Sequence, residues 1–339
     1  MSSVACASDR WTAWDDFLET VKETGFMQSS LWCDFCVCRG FEYFGAVLKD
    51  RDEILGGAIV LKRAYSEDSC FYYIQDGPVL TSDDEPVREA VFDALFEELN
   101  RRRERENETV SHLRIEPRWT RMPEFLSNFR LAPDDDDYIE PRRTLYVDLR
   151  NSEAAILGQM KPKGRYNVRL AAKHGVSVVQ DTSESGLADF LRIYRETASR
   201  HEIHAKPQAY FATLFSMFSP SGRARIFFAE YRGARVASAL VMYFGRRATY
   251  FFGGSLHTHR NVMAPYLLHF EIMRSAKAAG YEWYDMWGIA AADDTDDPWY
   301  DISLFKRKFG GVEIELVPTL DYVYDEDAYS RYLHPECEE

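Results

Sequence analysis

The sequence is short of three things: long apolar runs, patterned cysteines and positive charge. No window of about 18 consecutive apolar residues occurs, so no membrane-spanning helix is expected. The first residues, MSSVACASDRWTAWDD, carry neither a basic leader nor an apolar core, so no secretory signal is expected and the cytoplasm is the expected location. The six cysteines, Cys6, Cys33, Cys36, Cys38, Cys70 and Cys337, follow no framework spacing, and a chain of 339 residues needs no covalent staples. Within CDFCVC the thiols look like half of a zinc site. No second Cys or His pair with the short spacing of a closed tetrahedral site follows, so no metal is expected; buried thiols are the plainer reading and a redox pair the other. Lys and Arg number 41 against 55 Asp and Glu, for a net charge of −14. A field of that sign repels phosphate at long range, which argues against nonspecific nucleic-acid binding and against a DNA partner. The acidic runs at Asp134 to Asp137 and at Asp293, Asp294, Asp296 and Asp297 read as solvated loops.

Against this background, KPKGRYNVRLAAK, residues 161–173, holds Lys161, Lys163, Arg165, Arg169 and Lys173 and no acidic residue. Pro162 suits a first helical turn, and Arg165, Arg169 and Lys173 recur every four residues, making one positive stripe. Such a stripe is either a solvated helix face or a surface for phosphates. A second basic cluster, NRRRER at residues 100–105, is flanked by Glu104 and Glu106, and a helix C-terminus favours cations in any case.

Two segments share one pattern. FEYFGAVLKDRDEILGGAIVLKR, followed by FYYIQDGPVL, and ARIFFAEYRGARVASALVMYFGRRATYFFGGS each read as three antiparallel strands joined by charged turns. Each is followed by a helical pattern and another strand: EPVREAVFDALFEELNRRRE before SHLRIEP, and APYLLHFEIMRSAKAAG before EWYDMWG. Ala90, Phe92, Leu95, Phe96 and Leu99 mark the apolar stripe of the first helix; Leu267, Phe270, Ile272 and Ala276 mark that of the second. Between the copies lie a strand pattern, RRTLYVDL, and helical stretches at 153–173 (broken near Pro162), 185–200 and 207–218. A duplicated β-β-β-α-β unit predicts an α+β chain of two acyltransferase-like domains with a ligand cleft between them. Acetyltransferases of this kind cradle the coenzyme A pyrophosphate on a glycine-rich helix start. Here that point reads HRNVMAPYLL, without glycine and with Pro265 lacking an N–H, and the first copy reads TSDDEPVREA, whose acids repel an anion. Coenzyme A is therefore not the expected donor, and no cofactor is expected.

Taken together, MKPKGRYNVRLAAKHGV, YEWYDMWGI, LFKRKFGG and MQSSLWCDF resemble the FemABX family of aminoacyl-tRNA-dependent peptidyltransferases, and the resemblance runs over nearly the whole chain. It implies two tandem GNAT-like (acyl-CoA N-acyltransferase) domains, the first at 1–148 and completed by 318–339, the second at 149–317. The long coiled-coil arm of larger members has no counterpart heptad run here, so the chain is similar to the arm-free type. The implied activity is transfer of an amino acid from aminoacyl-tRNA to an amine of a peptidoglycan precursor peptide, forming an interpeptide branch. Alternatives are a tRNA-dependent ligase of specialised peptide biosynthesis, or a catalytically silent binding protein of the same fold. The implied partners are aminoacyl-tRNA and a UDP-linked or lipid-linked muropeptide, the latter bringing a monomeric enzyme transiently to the inner membrane face.

By the same resemblance, Phe305 and Lys306 occupy the family's catalytic Phe-Lys pair; the alternative is a basic helix end capped by Gly310 and Gly311. An activated ester needs no ATP or metal, only positioning, removal of the amine proton and support for the oxyanion. Glu116 stands where the family has a candidate base, or else pairs with Arg114 or Arg118. Lys206 and Tyr210, four apart, match the family's contacts to the acceptor diphosphate and sugar, with His204 just before and Tyr250 as a further candidate. The phosphate-binding lysine of the family falls at Cys36, which is neutral, leaving Arg39 as the nearby replacement. Lys161, Lys163, Arg165, Arg169 and Lys173 are the implied tRNA contacts.

Overall fold

The computed structural model describes residues 2–4, 11–22, 24–133, 140–201 and 205–334. Cys6, Cys337, His204 and the run Asp134 to Asp137 lie outside the described residues. The chain divides into two compact units, Met1–Arg142 with Leu316–Glu339, and Arg143–Glu315.

The first unit contains strands β1 (Ser2–Val4), β2 (Glu42–Asp50), β3 (Glu53–Ala64), β4 (Ser69–Ile74), β5 (Val79–Leu80), β6 (Thr109–Ile115), β7 (Arg130–Leu131) and β15 (Leu320–Val323). Its helices are α1 (Trp11–Thr20), α2 (Ser30–Val37), α3 (Glu85–Arg103) and α10 (Glu326–Leu333). The sheet runs β1-β2-β3-β4-β6-β15-β7, with β5 paired to β3. Strands β2, β3 and β4 form the antiparallel meander, α3 crosses over, and β6 returns parallel to β4. Pro86 sits in the first turn of α3 and three arginines in its last, where the helix dipole favours them. Arg102 and Arg101 pair with Glu106 and Glu98, and Arg103 lies over the Tyr324 ring, so this basic cluster is engaged within its own unit. Val91, Phe92, Leu95 and Leu99 form the buried stripe of α3 with Phe96 half-buried beside it, whereas Ala90 is exposed and Val91 takes the place expected for it.

In the second unit the strands are β8 (Arg143–Asp148), β9 (Ser177–Gln180), β10 (Ala224–Tyr231), β11 (Ala234–Phe244), β12 (Arg247–Ser255), β13 (Trp283–Gly288) and β14 (Val312–Glu315). Its helices are α4 (Glu153–Gln159), α5 (Pro162–Lys173), α6 (Glu184–Arg200), α7 (Gln208–Phe218), α8 (Ala264–Ala278) and α9 (Tyr300–Lys306). The order is β14-β8-β13-β12-β11-β10-β9, again a meander, β10-β11-β12, followed by a helix and a strand parallel to the last. The β-β-β-α-β pattern is therefore present twice. A core of Val147, Val241, Ile272, Met273, Tyr284 and Phe309 joins α8 to its sheet. At 19 residues α3 is the longest helix among the described residues, no long arm interrupts the second unit there, and no described helix is long and apolar enough to cross a membrane.

Candidate active site

The end of β13 organises the densest chemistry. Asp285, fully buried, accepts from the Trp287 N–H at 2.8 Å and from the Thr144 hydroxyl. The pairing of β13 with β8 slips between Asp285 and Gly288, and Trp287 takes a left-handed φ of 62°. A bulge of this kind re-aims backbone groups. Here the Gly288 carbonyl accepts a 2.6 Å hydrogen bond from Lys306 Nζ.

Lys306 arrives on α9, whose start is fixed by Asp297 accepting from the Trp299 N–H and whose body is tied to the β13 loop by Ser303, which accepts from the Ala290 N–H at 2.8 Å. The chain then turns sharply at Gly310 and Gly311, with φ of 75° and 91°; a Cβ there would stand 2.3 Å from the Gln159 carbonyl and 2.4 Å from that of Tyr146, so both positions require glycine. Lys306 is only 5% exposed, with Nζ 5.8 Å from the Tyr250 ring centre and 5.9 Å from that of Trp299. Burial pulls its pKa down to about 7, with the charge of Asp285 acting weakly in the other direction. His269 shares the neighbourhood: its Nδ1 lies 2.8 Å from the Tyr284 hydroxyl, and burial, then the Lys306 charge, depress its pKa to about 3. At neutral pH the imidazole is uncharged. The Phe305 ring packs on Tyr266, His269 and Phe309 and lines a cavity of about 130 Å³ beside Tyr250. Burial holds the Tyr250 hydroxyl well above the ordinary phenol range.

Thus Phe305, Lys306 and Tyr250 converge in the second unit. The basic helix adjoins them, because the Lys161 N–H donates to the Lys308 carbonyl at 3.0 Å and Gly164 packs so closely that a Cβ would stand 2.4 Å from the same oxygen. Lys161, Lys163, Arg169 and Lys173 are exposed along α5. Arg165 has a different engagement: its guanidinium donates to the Gly158 carbonyl at 3.0 Å and to that of Met160, closing the end of α4. Tyr166, 61% exposed, adds an aromatic face to the helix. Lys206 is exposed ahead of α7, its N–H donating to the Tyr194 hydroxyl, and the half-buried Tyr210 meets Phe211 and Phe252 edge-on.

Glu116 and Arg39 belong to the first unit. Glu116 follows β6 and accepts from the Tyr73 hydroxyl at 2.6 Å, the Glu140 N–H at 2.8 Å and the Thr319 hydroxyl at 3.0 Å. Burial raises its pKa to about 7 in spite of these donors. Arg114 forms a fully buried fork with Asp321 and its charge still works against the rise in the Glu116 pKa, while Arg118 pairs with Asp76. Cys33 and Cys36 are buried on α2, and burial lifts the Cys36 thiol to about 12 even though Arg39 works against it. The exposed Arg39 guanidinium lies 5.6 Å from the Phe35 ring centre and 6.0 Å from that of Phe41. No group of three or more His, Cys, Asp or Glu among the described residues is arranged to hold a metal ion. The start of α8 does not fit a pyrophosphate cradle, since Met263 precedes it in a left-handed conformation and Pro265 in its first turn supplies no N–H.

Sequence reasoning did not single out Asp285, His269, Trp299 or Tyr166. A carboxylate inside the apolar strand pattern EWYDMWG and a histidine on the apolar side of APYLLHFEIM were the available signals, since buried polar groups need partners.

The fold is that of known proteins. A crystal structure of FemX superposes with a TM-score of 0.86 at 17% identity, covering 97% of this chain and 99% of that one. A tandem GNAT protein from the clavulanic acid biosynthesis pathway gives 0.52 at 12%, covering 94% and 97%. Among curated proteins, the UDP-N-acetylmuramoylpentapeptide-lysine N(6)-alanyltransferase of Weissella viridescens is 25% identical over 84% of this chain and 85% of its own length. The Lipid II:glycine glycyltransferase of Staphylococcus saprophyticus is 20% identical over 94% and 92%. With the FemAB family model matching residues 131–234 and 229–332, more than half of its length, this chain belongs to the FemAB family.

Proposed function

We propose that this protein transfers an amino acid from aminoacyl-tRNA to an amine of a peptidoglycan precursor peptide. The observation that carries the reading is Lys306: a buried amine with a pKa near 7, beside a small cavity and next to an exposed basic helix. A lysine of ordinary pKa is fully charged at neutral pH and cannot accept a proton. One near 7 does both acid and base work there.

In the reaction, the acceptor nitrogen attacks the ester carbonyl carbon and a tetrahedral oxyanion forms. Uncharged Lys306 takes the proton that the nitrogen sheds, and then returns it to the ribose oxygen as the C–O bond breaks. The amide and a free ribose hydroxyl are the products, and the lysine ends as it began. Phe305 and Tyr250 keep bulk water from the ester, and Gly288 fixes the amine by its carbonyl. Lys161, Lys163, Arg169 and Lys173 meet RNA phosphates, with Tyr166 available to stack on an unpaired base. In this reading Lys206, Tyr210 and Arg39 serve the acceptor. The two relatives named above act on lipid II and on a UDP-muropeptide, so both acceptor types belong in the assay.

The test incubates the protein with mixed charged tRNAs and with UDP-linked or lipid-linked muropeptides, and reads products by mass spectrometry. The expected result is a muropeptide heavier by one amino-acid residue, abolished by prior ribonuclease treatment. Product formation indifferent to ribonuclease rejects the tRNA donor, and no product with either acceptor rejects the reading as a whole.

A further inference from the structure

The cavity beside Phe305 has a chemical bias of its own. Its walls include Tyr250, Leu268 and Phe305, and its volume is about 130 Å³. For comparison, a dry engineered cavity of about 150 Å³ takes up benzene, so this space admits a group of a few heavy atoms and not a long side chain. One of its lining residues, Ser238 on β11, is 1% exposed, and its hydroxyl has no hydrogen-bond partner among the described residues. A second hydroxyl on the lining is committed: Thr197 Oγ1 donates to the Ile193 carbonyl at 3.0 Å and accepts from the Ser255 N–H at 3.0 Å. Buried hydroxyls are ordinarily satisfied, and an orphan in a cavity wall marks the place where a ligand or water completes the bonding. Beside it, Gly253 lets the Ser238 backbone and the Tyr250 ring pack closely, because a Cβ there would lie 2.5 Å from the Ser238 carbonyl and 2.7 Å from the Tyr250 hydroxyl. Tyr250, one wall of the cavity, has its ring centre 5.8 Å from Lys306 Nζ, and Phe305, another wall, precedes Lys306 in the chain.

We propose that this cavity holds the side chain of the donor amino acid and that Ser238 selects a hydroxyl-bearing one, making seryl-tRNA the preferred donor. The inference rests on the proposed aminoacyl transfer. A serine side chain donates to or accepts from the Ser238 hydroxyl and completes its bonding. Alanine enters the same space but displaces water from Ser238 without replacing the hydrogen bond. Sites built to hydrogen-bond a substrate hydroxyl discriminate against the analogue lacking it, because their own polar group is then left unpaired. The indole of tryptophan, larger than benzene, exceeds the space.

The experiment measures kcat/KM for seryl-, alanyl-, glycyl- and tryptophanyl-tRNA with a muropeptide acceptor, for the unaltered protein and for Ser238→Ala and Ser238→Thr. Serine is expected to exceed alanine by about 10-fold or more, with tryptophanyl transfer undetectable. In Ser238→Ala the seryl-to-alanyl ratio falls toward one, and in Ser238→Thr, which keeps the hydroxyl, a preference for serine survives. Thermal unfolding of each variant is recorded alongside, so that a lost preference in a folded protein is read as lost recognition. A seryl-to-alanyl ratio that Ser238→Ala leaves unchanged, with transfer itself intact, overturns the pocket assignment alone. Absence of transfer from all of the donors overturns the assignment together with the function on which it rests.

Discussion

Lys306 shows how one side chain turns burial into chemistry. Its ordinary pKa of 10.5 falls to about 7 because almost no water reaches the amine, and Asp285 limits the fall. The other groups around it are uncharged at neutral pH: His269, Tyr250, and the Trp299 ring. Turnover should therefore drop more steeply below about pH 7 than titration of the acceptor amine alone dictates. Lys306→Met should remove that break and about 10²- to 10⁴-fold of the rate. Asp285→Asn keeps an oxygen for the Trp287 N–H but removes the nearby negative charge, so the break should move to lower pH; a break moved upward in the pH–rate profile would contradict the electrostatic account. Glu116 works in the opposite direction. Its folded pKa of about 7 stands above the ordinary 4.5, so the folded state holds the extra proton between those values and stability declines as pH rises through that window. The decline is on the order of 3 kcal/mol for a shift of this size. Glu116→Gln cannot ionise, and its denaturation midpoint should stay flatter between pH 4.5 and 7 than that of the unaltered protein. Because three donors fasten the carboxylate inside its own unit, turnover of this variant should change only a few-fold.

At the scale of elements, α5 separates two kinds of positive charge that look alike in sequence. Lys163, Arg169 and Lys173 face solvent, while Arg165 closes α4 through backbone carbonyls. Reversing Lys163 or Lys173 to Glu should leave the unfolding midpoint nearly unchanged and weaken RNA binding, lowering the slope of log affinity against log salt by about one for each phosphate no longer neutralised. Arg165→Ala should do the reverse, costing about 1–3 kcal/mol of stability by releasing charge-assisted hydrogen bonds. Binding titrations across salt and denaturant melts of the same variants distinguish the two. The four-residue recurrence from Arg165 to Lys173 is visible in the sequence; the backward turn of the Arg165 side chain is not, because it depends on where α4 ends. The same division holds elsewhere. Both β-β-β-α-β units are readable, since each strand is bounded by charged turns and each helix by Pro near its start. The strands β9, β14 and β15 are not, because segments of four residues are too short for their pattern to decide and take their structure from the neighbours they pair with. Likewise the Phe305–Lys306 motif is legible as a motif, whereas the Gly288 carbonyl that holds it depends on a bulge, and its partner His269 on a helix register.

For the molecule as a whole, the chain crosses from the first unit to the second and returns. Strand β15, which follows the second unit in sequence, lies between β6 and β7, and it carries Asp321 to the buried guanidinium of Arg114 with hydrogen bonds of 2.8 and 2.7 Å. Tyr329 from α10 donates to the same carboxylate at 2.8 Å, and Thr319 just before β15 supplies one of the three donors on Glu116. The first unit is thus closed by residues that the chain reaches only after passing through the second. Removing one partner of a fully buried ion pair leaves an uncompensated charge and costs about 3–5 kcal/mol. Asp321→Ala should therefore destabilise the first unit and leave the second, with its Lys306 cluster, unaffected. Hydrogen exchange read by mass spectrometry checks this directly. Peptides from β4, β6 and β15 should lose protection in the variant while those from β10 to β13 keep theirs, and equal loss in both sets would mean that the two units unfold as one.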